Sequence, residues 1–341
     1  MKFLRVLLFP FSILYGTIGA IRNFLFDKGI KKSHEIPGKS IVVGNLSMGG
    51  TGKSPHTLYV WNLLKETNEV AILSRGYGRK TKGLFEVKTS STSQQVGDEP
   101  LMFKKRTQEQ ALVVVAEQRK VGVDFIRQKS INSVIILDDA YQHRKVKAGF
   151  SILLTDFNDP FYQDFVVPAG RLREFPCGKN RADCIVVTKC PENLDGEVKS
   201  AMKSKLRFHN QNIFFSKIIY GDLVPFGKVE NNYSKILLVT GIANPKPLEA
   251  YLNRFCKVEL ITFPDHHDFT NEDLLKIHTK FDTFTTEPAI IVTTEKDFVR
   301  LDTLLTNEDK KRYPWYYQSI SIDLDEKERF NALINNYVDT I

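Results

Sequence analysis

At 341 residues the chain is long enough for about two domains, and its 42% hydrophobic and 26% charged residues exclude a disordered protein. The net charge of +8 indicates an anionic partner, and because no zinc-finger spacing or compact basic-aromatic pattern accompanies it, no nucleic-acid partner is expected. The 4 cysteines show no C-x-x-C spacing, which is typical of reduced thiols in a cytosolic setting.

The N-terminal segment is apolar and flanked by basic residues. Its apolar side chains recur every three or four residues from Leu4 to Leu25, which predicts a helix. Pro10 and the short uncharged stretch argue against a spanning helix, which needs about 20 apolar residues. A cleaved signal peptide and a helix packed on the protein's own core are the alternatives. We favour residues 1–32 as a membrane-docking helix that lies in, or is partly inserted into, an anionic membrane surface.

A glycine-rich turn follows the first predicted strand, Ile41–Val43. The residues of this turn are Gly49, Gly50, Thr51, Gly52, Lys53 and Ser54. Glycines let several backbone N–H groups point at one anion, and the N-terminus of a helix predicted at Pro55–Lys65 adds partial positive charge. We expect Lys53 on the phosphates of a nucleotide and Ser54 on Mg²⁺. The strict pattern has glycine where this chain has Ser47, and an ordinary strand-to-helix loop is the alternative.

Short β-branched runs alternate with helical segments along the rest of the chain, as in a parallel sheet covered by helices. We therefore predict an α/β fold: a P-loop NTPase-type parallel sheet domain (33–220) plus a second, smaller α/β domain (235–341), with an N-terminal hydrophobic helix. The linker is 221–234, which is rich in Gly, Pro and Asn. The further predicted strands are Val70–Leu73, Leu112–Val115, Val134–Leu137, Ile152–Leu154, Ile185–Val187, Ile213–Ile219, Ile236–Val239, Val258–Ile261 and Ala289–Val292, and the further helices include Val121–Gln128, Pro247–Phe255 and Asn271–Phe281.

The strand Val134–Leu137 ends in two carboxylates, Asp138 and Asp139. In phosphate-loop enzymes a carboxylate at this position holds Mg²⁺. Parallel strands end at the same edge of the sheet, so we expect this pair close to the glycine-rich turn. An acidic pair that only caps the next turn is the alternative.

Two segments are candidates for proton transfer. Asp98 precedes the helical Leu101–Arg106 and could accept a proton from a substrate hydroxyl, or could simply cap that helix. His266 and His267 follow a predicted strand. Adjacent positions on an extended segment point opposite ways, which suits a single zinc ion poorly. One histidine could instead take a proton or tune a carboxylate, and a surface loop without a role is the alternative.

Arginine-containing loops form a third group of candidates. Ser74–Arg79 and Pro168–Arg173 carry arginines among glycines, where they could clamp phosphate or be solvated surface charge. Thr293–Asp297 could bind nucleotide or cap a helix. A guanine-reading site would have Asn/Thr-Lys-x-Asp, but Thr188-Lys189 is followed by Cys190-Pro191 and Thr294-Glu-Lys-Asp has the order wrong, so GTP is disfavoured.

Taken together and in this order, the motifs resemble those of the tetraacyldisaccharide 4′-kinase family of lipid A biosynthesis. The matching stretches are VGNLSMGGTGKSP (43–55), SRGYGRK (74–80), GDEP (97–100), DDAYQHR (138–144), PAGRLRE (168–174), TGIANP (240–245), FPDHHDF (263–269) and TTEKDFVRL (293–301). Departures are small: Ser54 stands where Thr is frequent, and Ala140-Tyr141 replaces a commoner Gly-Phe.

The resemblance implies a membrane-associated kinase with two α/β domains around a cleft, dependent on ATP and Mg²⁺. It would transfer the γ-phosphoryl of ATP to the 4′-hydroxyl of an acylated disaccharide 1-phosphate lipid, giving lipid IVA. The expected location is the cytoplasmic face of the bacterial inner membrane, at an anionic membrane surface and with no obligate protein partner.

The resemblance also implies site roles. Lys53 contacts phosphates, Ser54 joins Asp138 and Asp139 at Mg²⁺, and Asp98 is the general base. A loop histidine is the partner of Asp98, and we choose His266 over His267. Arg171 contacts the substrate or the developing charge. Further candidates in the same stretches are Arg75, Glu99, Gln142 and His143.

Two other functions stay open at this point. A soluble P-loop ATPase or switch acting on a protein partner would hydrolyse ATP without lipid and would not need its N-terminus. A non-enzymatic binding module would use the glycine-rich turn for a structural anion, and replacing Lys53 would then leave its function intact.

Overall fold

The computed structural model describes residues 2–208, 212–284 and 287–340, in which strands and helices alternate after a long N-terminal helix. The strands are β1 (His34–Glu35), β2 (Ser40–Asn45), β3 (Val70–Ser74), β4 (Phe85–Glu86), β5 (Leu112–Val115), β6 (Val134–Asp138), β7 (Val146–Lys147), β8 (Phe150–Asp156), β9 (Cys184–Thr188), β10 (Ile213–Pro225), β11 (Lys235–Thr240), β12 (Lys257–Thr262), β13 (Ala289–Thr294) and β14 (Trp315–Leu324). The helices are α1 (Lys2–Asp27), α2 (Lys53–Leu64), α3 (Ser93–Val96), α4 (Asp98–Arg106), α5 (Arg119–Lys129), α6 (Gly196–Leu206), α7 (Lys246–Leu252), α8 (Asn271–Phe281), α9 (Glu295–Leu304), α10 (Asn307–Arg312) and α11 (Lys327–Asp339).

One 12-stranded sheet runs through the molecule in the order β12-β11-β13-β14-β10-β9-β8-β2-β6-β3-β5-β4. From β9 to β5 every neighbouring pair is parallel, and β12, β11, β13 and β14 form a second parallel set. The two sets meet at β10, which pairs in parallel with β9 and antiparallel with β14. The predicted α/β architecture with an N-terminal helix is confirmed.

The central strands are hydrophobic on both faces because helices cover both sides of the sheet. Every residue of β2, β3, β6 and β9 is buried. Each predicted strand is present, and α2, α5, α7 and α8 overlap the helices predicted for those segments. The buried aliphatic runs were therefore a sufficient signal for the parallel sheet.

The C-terminal β14 and α11 were not predicted, and they connect the two parallel sets. α11 packs on the first set: Phe330 is buried against the rings of Phe214 and Tyr59, with centroids 5.2 and 5.9 Å away, and the Tyr337 hydroxyl donates to the carbonyl of Ser40 in β2 at 3.0 Å. β10 continues to Pro225, so this strand includes the first residues of the predicted linker. The division into domains 33–220 and 235–341 stays a prediction.

The N-terminal helix α1 is continuous through Pro10 and presents its apolar side chains to the outside. Over Arg5–Asp27 the mean hydropathy is 1.3, and 11% of the helix is buried in the protein. By length and composition, this helix could cross a membrane. It touches the rest of the protein through small, polar and aromatic residues, and Phe9 packs edge-on against Phe165 with ring centroids 5.4 Å apart. The Ser12 hydroxyl accepts from the amide of Ala169 at 2.8 Å, Gly16 lies against a phenylalanine ring, and Asn23 Nδ2 donates to Glu174 Oε2 at 2.7 Å. The alternative of a helix buried in the core is wrong.

Phe330→Ala tests the packing of α11. Because the ring is fully buried against two other aromatic rings, its loss should lower the free energy of unfolding by about 3–5 kcal/mol. Urea denaturation of the full chain in detergent micelles measures this change. Leu275→Ala is the control: that side chain is 68% exposed, and its removal should change stability by at most about 0.5 kcal/mol. Equal effects of the two substitutions would contradict the packing described.

Candidate active site

The glycine-rich turn lies at the carboxyl end of β2 and leads directly into α2. Gly52 has φ 83°, a left-handed conformation that side chains disfavour, and α2 begins at the next residue, Lys53. A Cβ added at Gly49 or Gly50 would meet nothing within 4 Å, so these backbone amides border open space. Two hydrogen bonds anchor the turn at Thr51. Asn45 Nδ2 donates to Thr51 Oγ1 at 2.8 Å, and the Thr188 hydroxyl donates to the Thr51 carbonyl at 2.9 Å. This arrangement is a preformed anion cradle.

Lys53 lies beside Asp139 at the rim of the cradle. Its Nζ is 3.7 Å from Asp139 Oδ2, and the lysine side chain is only 9% exposed. Arg173 binds the same carboxylate through both oxygens, with N–O distances of 2.9 and 3.2 Å. Burial acts to raise the pKa of Asp139, but Lys53 and Arg173 outweigh it and hold this pKa below its usual value. Asp139 is therefore an anion at neutral pH.

Asp138 is buried at the end of β6. Its carboxylate accepts from the hydroxyl of Ser74 at 3.1 Å, and its carbonyl accepts from Arg119 Nη2 at 3.2 Å. Burial, with the nearby charges of Glu99 and Asp139, raises the pKa of Asp138 to about 7. Arg119 is also buried, which lowers its pKa to about 10. The rise in the pKa of Asp138 therefore comes mainly from burial, and Lys53 and Arg119 act against it.

The donor set around Ser54 suits Mg²⁺. The Ser54 hydroxyl donates to Glu99 Oε1 at 3.2 Å, and Asp138 and Asp139 lie at the adjacent strand end. These are hard oxygen ligands, and a divalent cation would offset the charge that raises the pKa of Asp138. Within the described residues no three Asp, Glu, His or Cys side chains converge as a complete metal cage. Mg²⁺ commonly takes one or two carboxylates and completes its shell with water and substrate phosphates, so the residues fit this ion.

Asp98 does not cap its helix, and the capping alternative is wrong. α4 begins at Asp98, its N-cap is Gly97, and no side-chain cap is made. Asp98 Oδ2 instead accepts from Arg300 Nη2 at 2.5 Å and lies 3.4 Å from His266 Nδ1. Burial acts to raise the pKa of Asp98, but the hydrogen bonds from His266 and Arg300 outweigh it and hold this pKa below its usual value.

The two adjacent histidines have different partners. His266, with φ 60°, lies beside Asp98, and its Nε2 is 3.2 Å from Lys296 Nζ. His267 Nε2 is instead 2.8 Å from Asp273 Oδ2, inside the second parallel set. The structure therefore brings His266, and not His267, to Asp98. The role of His266 stays a prediction.

Arg171 lies away from the acidic cluster. Its guanidinium pairs with Asp159 at 2.7 Å and with Asp164 at 3.5 Å, and it is half exposed. Its backbone carbonyl accepts from the amide of Met48 at 2.7 Å, so this loop touches the start of the glycine-rich turn through the main chain. The expected contact of the Arg171 side chain with substrate stays a prediction.

The remaining candidates line the side of the site that faces α1. Gln142 Nε2 donates to the carbonyl of Asn45 at 2.7 Å and to Glu174 Oε1 at 3.1 Å. Burial and the nearby cations Arg119 and Arg75 lower the pKa of His143 to about 4, so His143 is neutral at physiological pH. The side chain of Arg75 is exposed.

Four charged residues that the sequence analysis did not single out individually also lie at the site: Arg119, Arg173, Lys296 and Arg300. The last two belong to the stretch TTEKDFVRL, whose Thr294 caps α9 by accepting from the amide of Asp297. Residues four apart share one face of a helix, so a helix starting at Thr294 predicts that Lys296 and Arg300 point the same way. That spacing was the signal in the sequence from which Lys296 and Arg300 could have been found.

Comparison with known proteins identifies the family of this chain. The family model described as tetraacyldisaccharide-1-P 4′-kinase matches residues 4–339. The chain is 44% identical to the tetraacyldisaccharide 4′-kinase of Flavobacterium johnsoniae, covering 99% of this chain and 98% of that protein. It is 38% identical to the enzyme of the same name from Bacteroides thetaiotaomicron, with 97% and 92% covered.

A solved structure gives the same result at the level of the fold. LpxK from Aquifex aeolicus, described as an apo form in complex with ATP, superposes with a TM-score of 0.78 at 31% identity, covering 98% of this chain and 99% of that one. The fold class and the family resemblance predicted from the motifs are both confirmed. The chain belongs to the tetraacyldisaccharide-1-P 4′-kinase family.

Proposed function

We propose that this protein is an ATP-dependent lipid kinase that transfers the γ-phosphoryl of ATP to the 4′-hydroxyl of tetraacyldisaccharide 1-phosphate, forming lipid IVA. One observation carries the proposal beyond family membership. Polar contacts run from the anion cradle to the candidate base: Ser54 to Glu99 at 3.2 Å, Glu99 to Lys296 at 3.6 Å, Lys296 to His266 at 3.2 Å, and His266 to Asp98 at 3.4 Å. A phosphoryl group held by the cradle would therefore lie close to Asp98.

The nucleotide half of the site supplies binding and charge neutralisation. The amides of the turn and the Lys53 ammonium would hold the phosphates of ATP, while Ser54, Asp138, Asp139 and Glu99 would hold Mg²⁺. Bound there, the ion would supply charge neutralisation at the phosphates and help to orient them for in-line transfer. Arg173 keeps the Asp139 carboxylate ionised and fixed, so that this ligand needs no rearrangement when the nucleotide binds.

The acceptor half of the site moves one proton. The oxygen of the 4′-hydroxyl bonds to the γ-phosphorus as the bond from that phosphorus to the β–γ bridging oxygen breaks, and the hydroxyl proton passes to Asp98. Within the described residues Asp98 Oδ1 has no hydrogen-bond partner, so it is the oxygen open to the hydroxyl. Because the low pKa of Asp98 makes it a weak base, its main contribution is position.

The exposed apolar face of α1 supports docking on a membrane, where the acylated substrate resides. Arg22, Lys28, Lys31 and Lys32 follow that face and favour an anionic surface. We place the enzyme at the cytoplasmic face of the bacterial inner membrane, where ATP is available. The proposal requires no obligate protein partner.

Lys53→Ala tests the phosphate contact. With ATP, Mg²⁺ and the disaccharide 1-phosphate in mixed micelles, the variant should form 4′-phosphorylated lipid about 10²–10³-fold more slowly, because a fixed cation at the phosphates is lost. Lys257→Ala is the matched control and should keep the wild-type rate. Lys257 is the first residue of β12, and the loop that carries His266 follows the other end of that strand. Wild-type protein that hydrolyses ATP without making lipid product would favour an ATPase instead.

Asp98→Ala tests the base. Turnover should fall about 10²–10⁴-fold while ATP affinity, measured by titration calorimetry, stays within about twofold, because the carboxylate acts on the acceptor and not on the nucleotide. Asp98→Asn keeps an oxygen for Arg300 and so separates loss of the base from loss of the buried ion pair. Normal turnover by the Asn variant would rule out proton transfer to this carboxylate.

The paired substitution Leu14→Glu and Ile18→Glu tests membrane docking by α1. Both side chains are 61% exposed, so the fold should survive, while binding to vesicles that contain anionic lipid should weaken by at least about tenfold. Co-sedimentation measures the bound fraction. Ile131→Glu replaces an equally exposed apolar residue outside α1 and should leave binding unchanged. Equal binding by all three proteins would exclude docking through this helix.

A further inference from the structure

Arg300 joins the two parallel sets of strands at the candidate base. It lies on α9, its side chain is only 5% exposed, and its Nη2 donates to Asp98 Oδ2 at 2.5 Å. Its other terminal nitrogen, Nη1, donates to the carbonyl of His267 at 2.9 Å and lies 3.4 Å from Asp297 Oδ1. The guanidinium therefore fixes Asp98 and the histidine loop relative to each other.

The anchor on which Arg300 rests is itself rigid. Asp297 is fully buried, and its Oδ2 accepts from the amide of Gly241 at 2.9 Å and from the hydroxyl of Thr294 at 2.7 Å. Gly241 directly follows β11, and Thr294 is the last residue of β13. The planar guanidinium is thus held by strand ends on one side and presents its remaining donor to Asp98 on the other.

We propose that Arg300 is a positioning residue for phosphoryl transfer: by binding Asp98 Oδ2, it turns Oδ1 toward the hydroxyl that loses its proton. This inference rests on the proposed kinase function. It explains why one carboxylate oxygen is held by His266 and Arg300 while the other, within the described residues, has no partner. A carboxylate with one oxygen fixed has a single orientation for the free one.

The charged and titratable groups that face Asp98 come from three elements. α9 contributes Arg300 and Lys296, the loop after β12 contributes His266, and α4 itself contributes Glu99. Tyr77, in the loop after β3, packs edge-on against the His266 ring at 5.8 Å. The cations together outweigh burial and keep the pKa of Asp98 low.

The experiment compares Arg300→Met with the wild type, using the full chain in mixed micelles with ATP, Mg²⁺ and disaccharide 1-phosphate. We expect kcat to fall by up to about 10²-fold, because the Asp98 carboxylate is no longer held in one orientation. The KM for ATP should change by less than about twofold, which separates this effect from a loss of nucleotide binding. Arg312→Met, which removes an arginine 68% exposed on α10, should match the wild type in both.

A double variant shows whether Arg300 acts through Asp98. In the Asp98→Asn background, Arg300→Met should lower kcat by less than about threefold more, because residues that act as a unit are not additive. A full additional loss would overturn the proposal. An unchanged kcat in Arg300→Met would overturn it as well.

Arg300→Lys covers the case in which the Met variant does not fold. Lysine keeps the charge but not the two-pronged contact, so kcat should fall by about tenfold while the KM for ATP stays within about twofold. A wild-type kcat in this variant would overturn the positioning role. If the wild-type protein itself made no phosphorylated lipid, the proposed function would fail, which is a different result from any of these.

Discussion

The cluster of buried carboxylates at the carboxyl end of β6 is the constraint around which the site is organised. Asp138 and Asp139 lie side by side with Glu99 close enough to raise the pKa of Asp138, and burial alone would keep such a group protonated. Cations from several separate segments lie against this cluster: Lys53 from the cradle, Arg173 from the loop before β9, and Arg119 from α5. A Mg²⁺ ion bound here would favour the ionised form of Asp138, so metal binding and the charge state of this carboxyl depend on each other.

The second parallel set contributes cations to the same site from the opposite side. The contact between α4 and α9 pairs acidic residues at the start of α4 with Lys296 and Arg300 of α9. Because α4 belongs to the first set and α9 to the second, Asp98 has all of its contacts only when both sets are in place. The continuous sheet through β10 and β14 holds them in register.

Much of this could be predicted from the sequence, because the glycine-rich turn, the buried strands and Asp138–Asp139 have local signals. The choice of His266 depended on which of two neighbours faces Asp98, and only the turn at φ 60° fixes that. β14 and α11 were missed because β14 is parallel to one neighbour and antiparallel to the other, so its environment is set by distant partners. Arg300 was missed because its partner, Asp98, is far away in sequence, and sequence spacing within a helix indicates a face but not what that face meets.

The polar underside of α1 has a consequence for how the enzyme encounters its substrate. Asn23 bonds Glu174, Glu174 bonds Gln142, and Gln142 bonds the carbonyl of Asn45, directly below the anion cradle. If α1 embeds in lipid as proposed, these bonds fix the site at one height above the bilayer, so that the sugar headgroup could enter while the acyl chains stay in the membrane. The enzyme would then search in two dimensions. Its rate would depend on the mole fraction of substrate within the lipid surface, and adding inert lipid would slow it by dilution.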